Sequence, residues 1–164
     1  MPLWVIYHPP NTFTTEETRA ALAKEIVAIY TAASLPAFYV NTLFVPVQPT
    51  SYFIGGVSRP SAPAPDAGPG PDAAKPWIRI TIQNIARKIP NKATADRFLE
   101  RVDEALRPFI ADKGYEWEYS VEETSRDLWK INGLVPPMPG SEAEKVWARE
   151  NRSSVFDKAQ GGLL

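Results

Sequence analysis

The sequence contains no cysteine, and His8 is its single histidine. Without cysteine there are no disulfides, no thiol nucleophile, no zinc ribbon and no iron–sulfur cluster. With one histidine, a metal centre built from several imidazoles is also excluded. We therefore expect no metal site in this chain.

The sequence also has no large excess of positive or negative charge and no long apolar run. The 18 basic and 19 acidic residues give a net charge of −1, which argues against a general electrostatic nucleic-acid binder. No apolar stretch approaches the roughly 18 residues of a transmembrane helix, and the N-terminus lacks the pattern of a secretory signal. We expect a cytoplasmic protein that binds neither nucleic acid nor membranes.

Proline is abundant instead. The chain has 17 prolines in 164 residues, about twice the usual share of roughly 5%. They concentrate between residues 60 and 76, which predicts a loop because proline lacks the backbone donor of helices and sheets. A length near 150 residues favours one domain, so we expect residues 1–164 to form one domain that contains this proline-rich loop as an insertion.

The region before the loop predicts a strand, a helix and a second strand. Residues 3–8 form an apolar, β-branched run that indicates a buried strand. Thr14 and Glu17 have the spacing of a capping box, so a helix is expected to start there. Residues 38–47 predict the next strand, and residues 52–57 predict a short hairpin arm with a bulge at the double glycine.

The same order returns after the loop. Residues 77–83 alternate with period two and predict a half-buried strand. A helix is expected over residues 92–113, ended by Gly114, followed by a strand at 117–121. The tail, residues 122–164, is expected to contain a helix from Ser141 to Asn151.

Residues 2–47 and 77–121 thus look like two copies of one βαβ unit. The predicted fold is α/β, with a four-stranded sheet and two helices on one face, because right-handed crossovers place both helices on the same side. The opposite face of the sheet would remain uncovered. We therefore expect the protein to oligomerise.

In order and spacing, six short segments together resemble the tautomerase superfamily, and most closely its cis-3-chloroacrylic acid dehalogenase-like branch with fungal relatives. These segments are residues 2–7, 23–26, 53–57, 85–87, 117–119 and 133–137. The resemblance implies a tandem βαβ protomer, a homotrimer and a cofactor-independent tautomerase. The implied reaction is keto–enol isomerisation of small 2-oxo or enol carboxylic acids.

The resemblance also implies roles for Pro2 and Arg87. Pro2 would act as general base or acid through its amine, once Met1 has been removed. An α-amino group has a pKa near 7.7–8.0, and an apolar or cationic site lowers that value. Arg87 would bind the substrate carboxylate with its planar fork, and Lys88 or Lys92 could supply a second positive charge.

Three more positions follow from the resemblance. Tyr119 falls where relatives hold substrate or activate water. Tyr30 replaces a histidine at the end of the first helix, and Lys130 replaces a glutamate that activates water. A lysine cannot act as that base while charged, but near Pro2 it would lower the pKa of the amine. This favours tautomerisation over dehalogenation.

Two alternatives remain. The first is a dehalogenase or hydratase of 3-substituted acrylates, with Pro2 protonated. A shift of several residues in the alignment would bring Glu122 or Glu123 closer to the position of the water-activating glutamate. The second is an inactive trimeric binding or scaffold protein, since two expected catalytic positions differ.

Overall fold

A computed structural model describes residues 1–62 and 72–163. The helices and strands follow in chain order: β1 Leu3–His8, α1 Glu16–Thr31, β2 Asn41–Pro46, β3 Phe53–Ile54, β4 Val57–Ser58, β5 Trp77–Asn84, α2 Lys92–Leu106, β6 Glu116–Glu123 and α3 Glu142–Glu150. No helix among these residues is both long and apolar enough to cross a membrane.

The main sheet has the strand order β2-β1-β5-β6. Each strand–helix–strand unit is parallel within itself, and the two units meet along β1 and β5, which run antiparallel with Leu3 opposite Gln83. The sequence-based expectation of an α/β fold with two βαβ units in one four-stranded sheet is therefore confirmed.

One face of the sheet carries the core. Alternate residues of β1 and β5 are buried, because successive side chains of a strand point to opposite faces and only one face is covered by helices. The residues on this face join the apolar stripes of α1 and α2 in one cluster, whose central members are Trp4, Ile6, Leu22, Ile26, Ile78, Ile80, Ile82, Val102 and Leu106. On the other face, Leu3, Val5 and Tyr7 remain half-exposed.

Two expected boundaries in the first unit were wrong. The N-cap of α1 is Thr15, whose side chain accepts from the backbone N–H of Thr18; the predicted capping box began one residue earlier. Residues 37–39 form a turn of 3₁₀ helix rather than strand. The backbone N–H groups of Tyr39 and Val40 donate within this turn, to the carbonyls of Pro36 and Ala37, so β2 starts only at Asn41.

In the second unit, the α-helix ends before the predicted residue 113. α2 stops at Leu106, and two short 3₁₀ turns continue the chain to Lys113. Pro108 explains the change, since a proline inside an α-helix removes a hydrogen bond and clashes with the preceding turn. Gly114 ends the segment in the left-handed conformation, as expected.

The predicted hairpin arm is a separate two-stranded ribbon. β3 pairs antiparallel with β4, and Gly55 and Gly56 between them both have positive φ, which favours glycine. The predicted proline-rich loop over 60–76 falls partly on residues 63–71, which lie outside the described residues. The described parts, 60–62 and 72–76, contain neither helix nor strand.

Candidate active site

The start of β1 places the N-terminus of the chain at one end of the sheet. Pro2 is buried, and its carbonyl accepts from the backbone N–H of Asn41 at 2.9 Å. The antiparallel register continues from Leu3 opposite Gln83, so Pro2 lies beside Asn84. The Asn84 side chain in turn donates to the carbonyl of Arg87 at 2.8 Å. The start of β1 and the loop after β5 therefore meet at this point.

Arg87 forms a two-pronged ion pair with Glu144 of α3. Its two terminal nitrogens lie 2.9 Å from the two carboxylate oxygens of Glu144. The Glu144 side chain is 3% exposed and that of Arg87 27%. The carboxylate also accepts from the backbone N–H of Gly140 at 2.7 Å. Parallel hydrogen bonds of this kind fix a guanidinium in position and orientation.

Arg126, in the turn after β6, brings a second guanidinium to the site. Its Nη2 donates to the carbonyls of Pro136, at 2.7 Å, and Pro137. Its guanidinium carbon lies 5.4 Å from the centre of the Trp129 ring, a cation–π contact. Its Nη1 is buried, and the described residues provide it with no hydrogen-bond partner. One donor of an anchored arginine is thus left free.

Tyr39 supplies a second free donor. The residue is fully buried, and its ring packs against Trp129 and Trp147 at centroid distances of 5.0 and 6.2 Å. Its hydroxyl has no hydrogen-bond partner among the described residues. Burial raises the pKa of Tyr39, and the nearby charge of Glu144 raises it further, so the phenol stays protonated and can donate.

The terminal amine lies in the same electrostatic environment. Burial lowers the pKa of the Met1 amine from the ordinary 8.0 to about 4, and the positive charge of Arg126 contributes to the decrease. Both effects disfavour an ammonium group. The Met1 amine is therefore unprotonated at neutral pH and can act as a base.

A cleft of about 680 Å³ opens at the same end of the sheet. Arg87, Lys88 and Arg126 line it, together with Asn84 and Glu123. Within residues 1–62 and 72–163, no three histidine, aspartate or glutamate side chains come together as metal ligands. Arg126 lines this cleft and also lies near the neutral Met1 amine and the Tyr39 phenol. An amine next to cationic and phenolic hydrogen-bond donors is suited to proton transfer on small anions.

A family model described as "Putative oxalocrotonate tautomerase enzyme" matches residues 1–152. The chain belongs to this tautomerase family. No curated protein sequence matches this tautomerase-family chain. The sequence-based resemblance to the tautomerase superfamily is confirmed.

Solved structures agree with the family membership. A protein from the thermophilic fungus Aspergillus fumigatus, described as a probable enzyme, is 42% identical, with a TM-score of 0.80 over 95% of this chain and 98% of its own. Native RhCC from Rhodococcus jostii RHA1 is 34% identical, with a TM-score of 0.82 over 94% of this chain and 99% of its own.

Two more distant structures share the fold. A member of the cis-3-chloroacrylic acid dehalogenase family is 18% identical, with a TM-score of 0.59 over 91% of this chain and 97% of its own. A fused 4-OT described as an asymmetric trimer is also 18% identical, with a TM-score of 0.57 over 80% of this chain and 94% of its own. At this identity the likeness concerns the fold alone.

Tyr30 and Arg87, two of the site residues that the sequence predicted, lie close together in this tautomerase-family protein. Both line a cavity of about 200 Å³ between the end of α1 and the start of α2. The Tyr30 hydroxyl accepts from Trp4 Nε1 at 2.9 Å, and burial raises its pKa to about 12. Tyr30 therefore remains protonated and is anchored to the core through Trp4.

Tyr119 does not join the Pro2 site within the protomer. It pairs in register with Ile80, four residues from Asn84 along the strand, or roughly 13 Å at about 3.3 Å per residue. Its hydroxyl donates to Asp103 of α2 at 2.8 Å. Burial and the Asp103 carboxylate both raise the pKa of Tyr119, so this phenol is engaged with α2 rather than with Pro2.

The structure places only one of the three predicted lysines at the cavities of the site. Lys130 is exposed, and the cation that lowers the pKa of the terminal amine is Arg126 instead. Of the two lysines expected to assist Arg87, Lys88 lines both cavities at the site. Lys92 pairs on the surface with Asp96 at 2.7 Å.

Sequence reasoning missed Tyr39, Arg126 and Glu144. Tyr39 was assigned to a strand, and nothing in the local pattern distinguishes Arg126 from a surface arginine. Glu144 had a signal, since it stands three residues after Ser141 in a capping-box pattern. Ser141 does cap α3 by accepting from the Glu144 backbone N–H, but the Glu144 carboxylate turns to Arg87 and Gly140.

Proposed function

We propose that this protein is a cofactor-independent tautomerase of small 2-oxo or enol carboxylic acids, with the amine of Pro2 as the proton-transferring group. The observation that carries the proposal is the buried N-terminus beside Arg126, where the pKa of the Met1 amine, one residue before Pro2, falls far below its ordinary value. Removal of Met1 makes Pro2 the terminal residue of the same buried strand end.

The proposed step needs only proton movement. The neutral amine of Pro2 takes a proton from C3 of the 2-oxo acid, and the electrons of that C–H bond form the C2–C3 double bond. The C2 oxygen becomes an enolate, which the ammonium of Pro2 then protonates. The reverse sequence converts enol to keto acid, and no electrons are gained or lost overall. Donors held near the C2 oxygen lower the barrier because its charge develops in the transition state.

The unpaired cations of the cleft would make the site selective for carboxylates. Arg126 and Lys88 contribute positive charge to the cleft, and Arg87 also lines it. In our proposal Arg87 belongs to the substrate-binding wall. Its fork is already held by Glu144, which balances its charge, so it acts through the position of its loop.

The structure favours tautomerisation over hydration or dehalogenation of 3-substituted acrylates. Hydration needs a carboxylate that is free to activate water. Glu123 accepts from the backbone N–H of Ile89 at 2.7 Å, Glu122 is exposed, and Glu144 is paired with Arg87. A low amine pKa also disfavours the protonated proline that an acrylate reaction requires.

We propose a homotrimer as the working assembly. The face of the sheet opposite the helices stays half-exposed at Leu3, Val5 and Tyr7, and the β3–β4 ribbon exposes Phe53 at 56% and Val57 at 49%. Such apolar surface is typical of subunit interfaces, and the fused 4-OT that shares the fold is a trimer.

Sedimentation equilibrium at micromolar concentration checks this assembly. We expect a mass three times that of the 18.2 kDa chain. A Val5→Lys variant, which places a charge on the half-exposed face, should shift the mass toward that of the monomer. A wild-type protein that sediments as a monomer would contradict the trimer.

Exchange of C3 protons tests the function. Protein whose mass shows that Met1 has been removed is mixed with 2-oxobutanoate in D₂O, and loss of the C3 proton signal is followed by NMR. We expect exchange well above the buffer rate. A rate equal to that of buffer, with this acid and with phenylpyruvate, would favour the scaffold alternative. Release of halide from 3-chloroacrylate at a higher rate than C3 exchange would favour the dehalogenase.

A further inference from the structure

Two buried donors near the N-terminus have no hydrogen-bond partner within the part of the chain that the structure describes. Arg126 Nη1 and the Tyr39 hydroxyl are both shielded from solvent and unpaired among the described residues. Buried polar groups in native proteins nearly always have hydrogen-bond partners. The Tyr52 hydroxyl and Trp77 Nε1 are also unpaired among the described residues, but Arg126 and Tyr39 pack on one residue, Trp129, and this clustering indicates that a ligand completes their hydrogen bonds.

The two donors are held in place by the same aromatic residue. The Tyr39 ring packs edge-on against Trp129 at 5.0 Å, and the Arg126 guanidinium lies over the Trp129 ring at 5.4 Å. The carbonyls of Pro136 and Pro137 hold the other terminal nitrogen of Arg126. Neither side chain is free to rotate toward water, so the site is preorganised.

The positive charge of Arg126 favours an anion as the ligand, and the nearby carboxylates of Glu144 and Asp127 favour the charged form of this guanidinium. Arg126 is not paired with a carboxylate among the described residues: its bonded partners are the two proline carbonyls. Arg87, by contrast, already has its carboxylate, because Glu144 occupies both of its terminal nitrogens. Of the two arginines, the one available to an incoming carboxylate is therefore Arg126.

We propose that Arg126 binds the carboxylate of the substrate and that Tyr39 donates to the adjacent C2 oxygen. A 2-oxo acid presents a carboxylate and a neighbouring carbonyl oxygen, which match one charged and one neutral donor. The role of Tyr39 in catalysis rests on the proposed function, since its hydrogen bond strengthens as the enolate forms. Glu144 and Arg87 are positioning residues that fix the α3 side of the site.

Binding of oxamate tests this assignment without any reaction. Oxamate has a carboxylate next to a carbonyl but no C3 proton, so its affinity does not depend on catalysis. By titration calorimetry on protein lacking Met1, we expect Arg126→Gln to weaken binding about 10- to 100-fold, the range of a charge-assisted hydrogen bond. Lys130→Gln removes the same charge from an exposed position of the same segment and should leave the affinity unchanged.

Activity separates the two donors. With 2-oxobutanoate and its methyl ester as substrates, at a pH above the acidic limb of the rate profile, Arg126→Gln should raise KM for the acid and hardly affect KM for the ester. Tyr39→Phe should lower kcat for both by about 100-fold or more, because both carry the C2 oxygen. Arg126→Lys should restore little of the lost affinity, since the ammonium lacks the planar fork.

The outcomes distinguish this inference from the proposed function. Oxamate binding that depends on Arg126, without any C3 exchange, would support the binding site and overturn the tautomerase. C3 exchange that depends on Pro2, with equal oxamate affinity in wild type and Arg126→Gln, would overturn the role of Arg126. Failure of the wild type to bind oxamate would also overturn it. A Tyr39→Phe enzyme with wild-type kcat would overturn the assignment of Tyr39.

Discussion

Replacement of Pro2 by alanine is expected to lower the rate of C3 exchange by about 10²- to 10⁴-fold, the usual contribution of one proton-transferring group. Alanine leaves an amine at the terminus, but a primary one without the ring that fixes its direction toward the substrate. The substitution removes few buried atoms, so the free energy of unfolding should hardly change. Exchange kinetics by NMR and denaturant unfolding measure the two effects.

Pro10→Ala is the matched control for this substitution. Pro10 is exposed and follows β1 at its other end, so the same chemical change occurs away from the site. We expect wild-type exchange rates for Pro10→Ala. Equal rates for Pro2→Ala and Pro10→Ala would remove Pro2 from the mechanism.

Replacement of Glu144 by glutamine is expected to destabilise the protein by about 1.5–3 kcal/mol, because the neutral amide weakens the charge-assisted hydrogen bonds to Arg87, whose side chain is 27% exposed. For a chain of this length, this corresponds to a fall in Tm of roughly 2–4 °C per kcal/mol. The loss should appear in urea unfolding and in calorimetry. Activity should fall as well, since Arg87 and the α3 side of the cleft lose their fixed positions.

A surface pair on the same helix provides the control. Glu142 pairs with Lys145 at 2.6 Å, with side chains 74% and 61% exposed. Exposed pairs contribute about 0–1 kcal/mol, so Glu142→Gln should be nearly neutral. Similar stability losses for Glu142→Gln and Glu144→Gln would show that the Arg87–Glu144 pair does not hold the site.

The regular part of the fold could be predicted from the sequence because it follows local rules. β5 alternates apolar and polar residues, and β1 is a short apolar run; both patterns are typical of strands in a sheet. The predicted bounds of β1 are the observed ones. Errors arose where proline changed the local backbone. The turn at 37–39 follows Pro36, and α2 ends near Pro108.

The site was only partly predictable, for a physical reason. Pro2 and Arg87 lie at the ends of strands, where a recognisable pattern positions them. Arg126 and Glu144 reach the site from the turn after β6 and from α3, and Tyr39 enters through its packing on Trp129. These placements depend on how the C-terminal tail folds over the sheet, which no periodicity in the sequence encodes.

The pKa of the Pro2 amine is the most direct test of the account. It can be followed by ¹⁵N NMR of protein labelled at proline, with Met1 removed. We predict a value well below the 7.7–8.0 of an ordinary terminal amine, since burial and Arg126 both lower the pKa of the Met1 amine, one residue before Pro2. Arg126→Gln should raise it and move the acidic limb of the rate profile to higher pH, whereas Lys130→Gln should move neither. A pKa of about 8 or above in the wild type would mean that Pro2 is protonated at neutral pH, and it would contradict the proposed base.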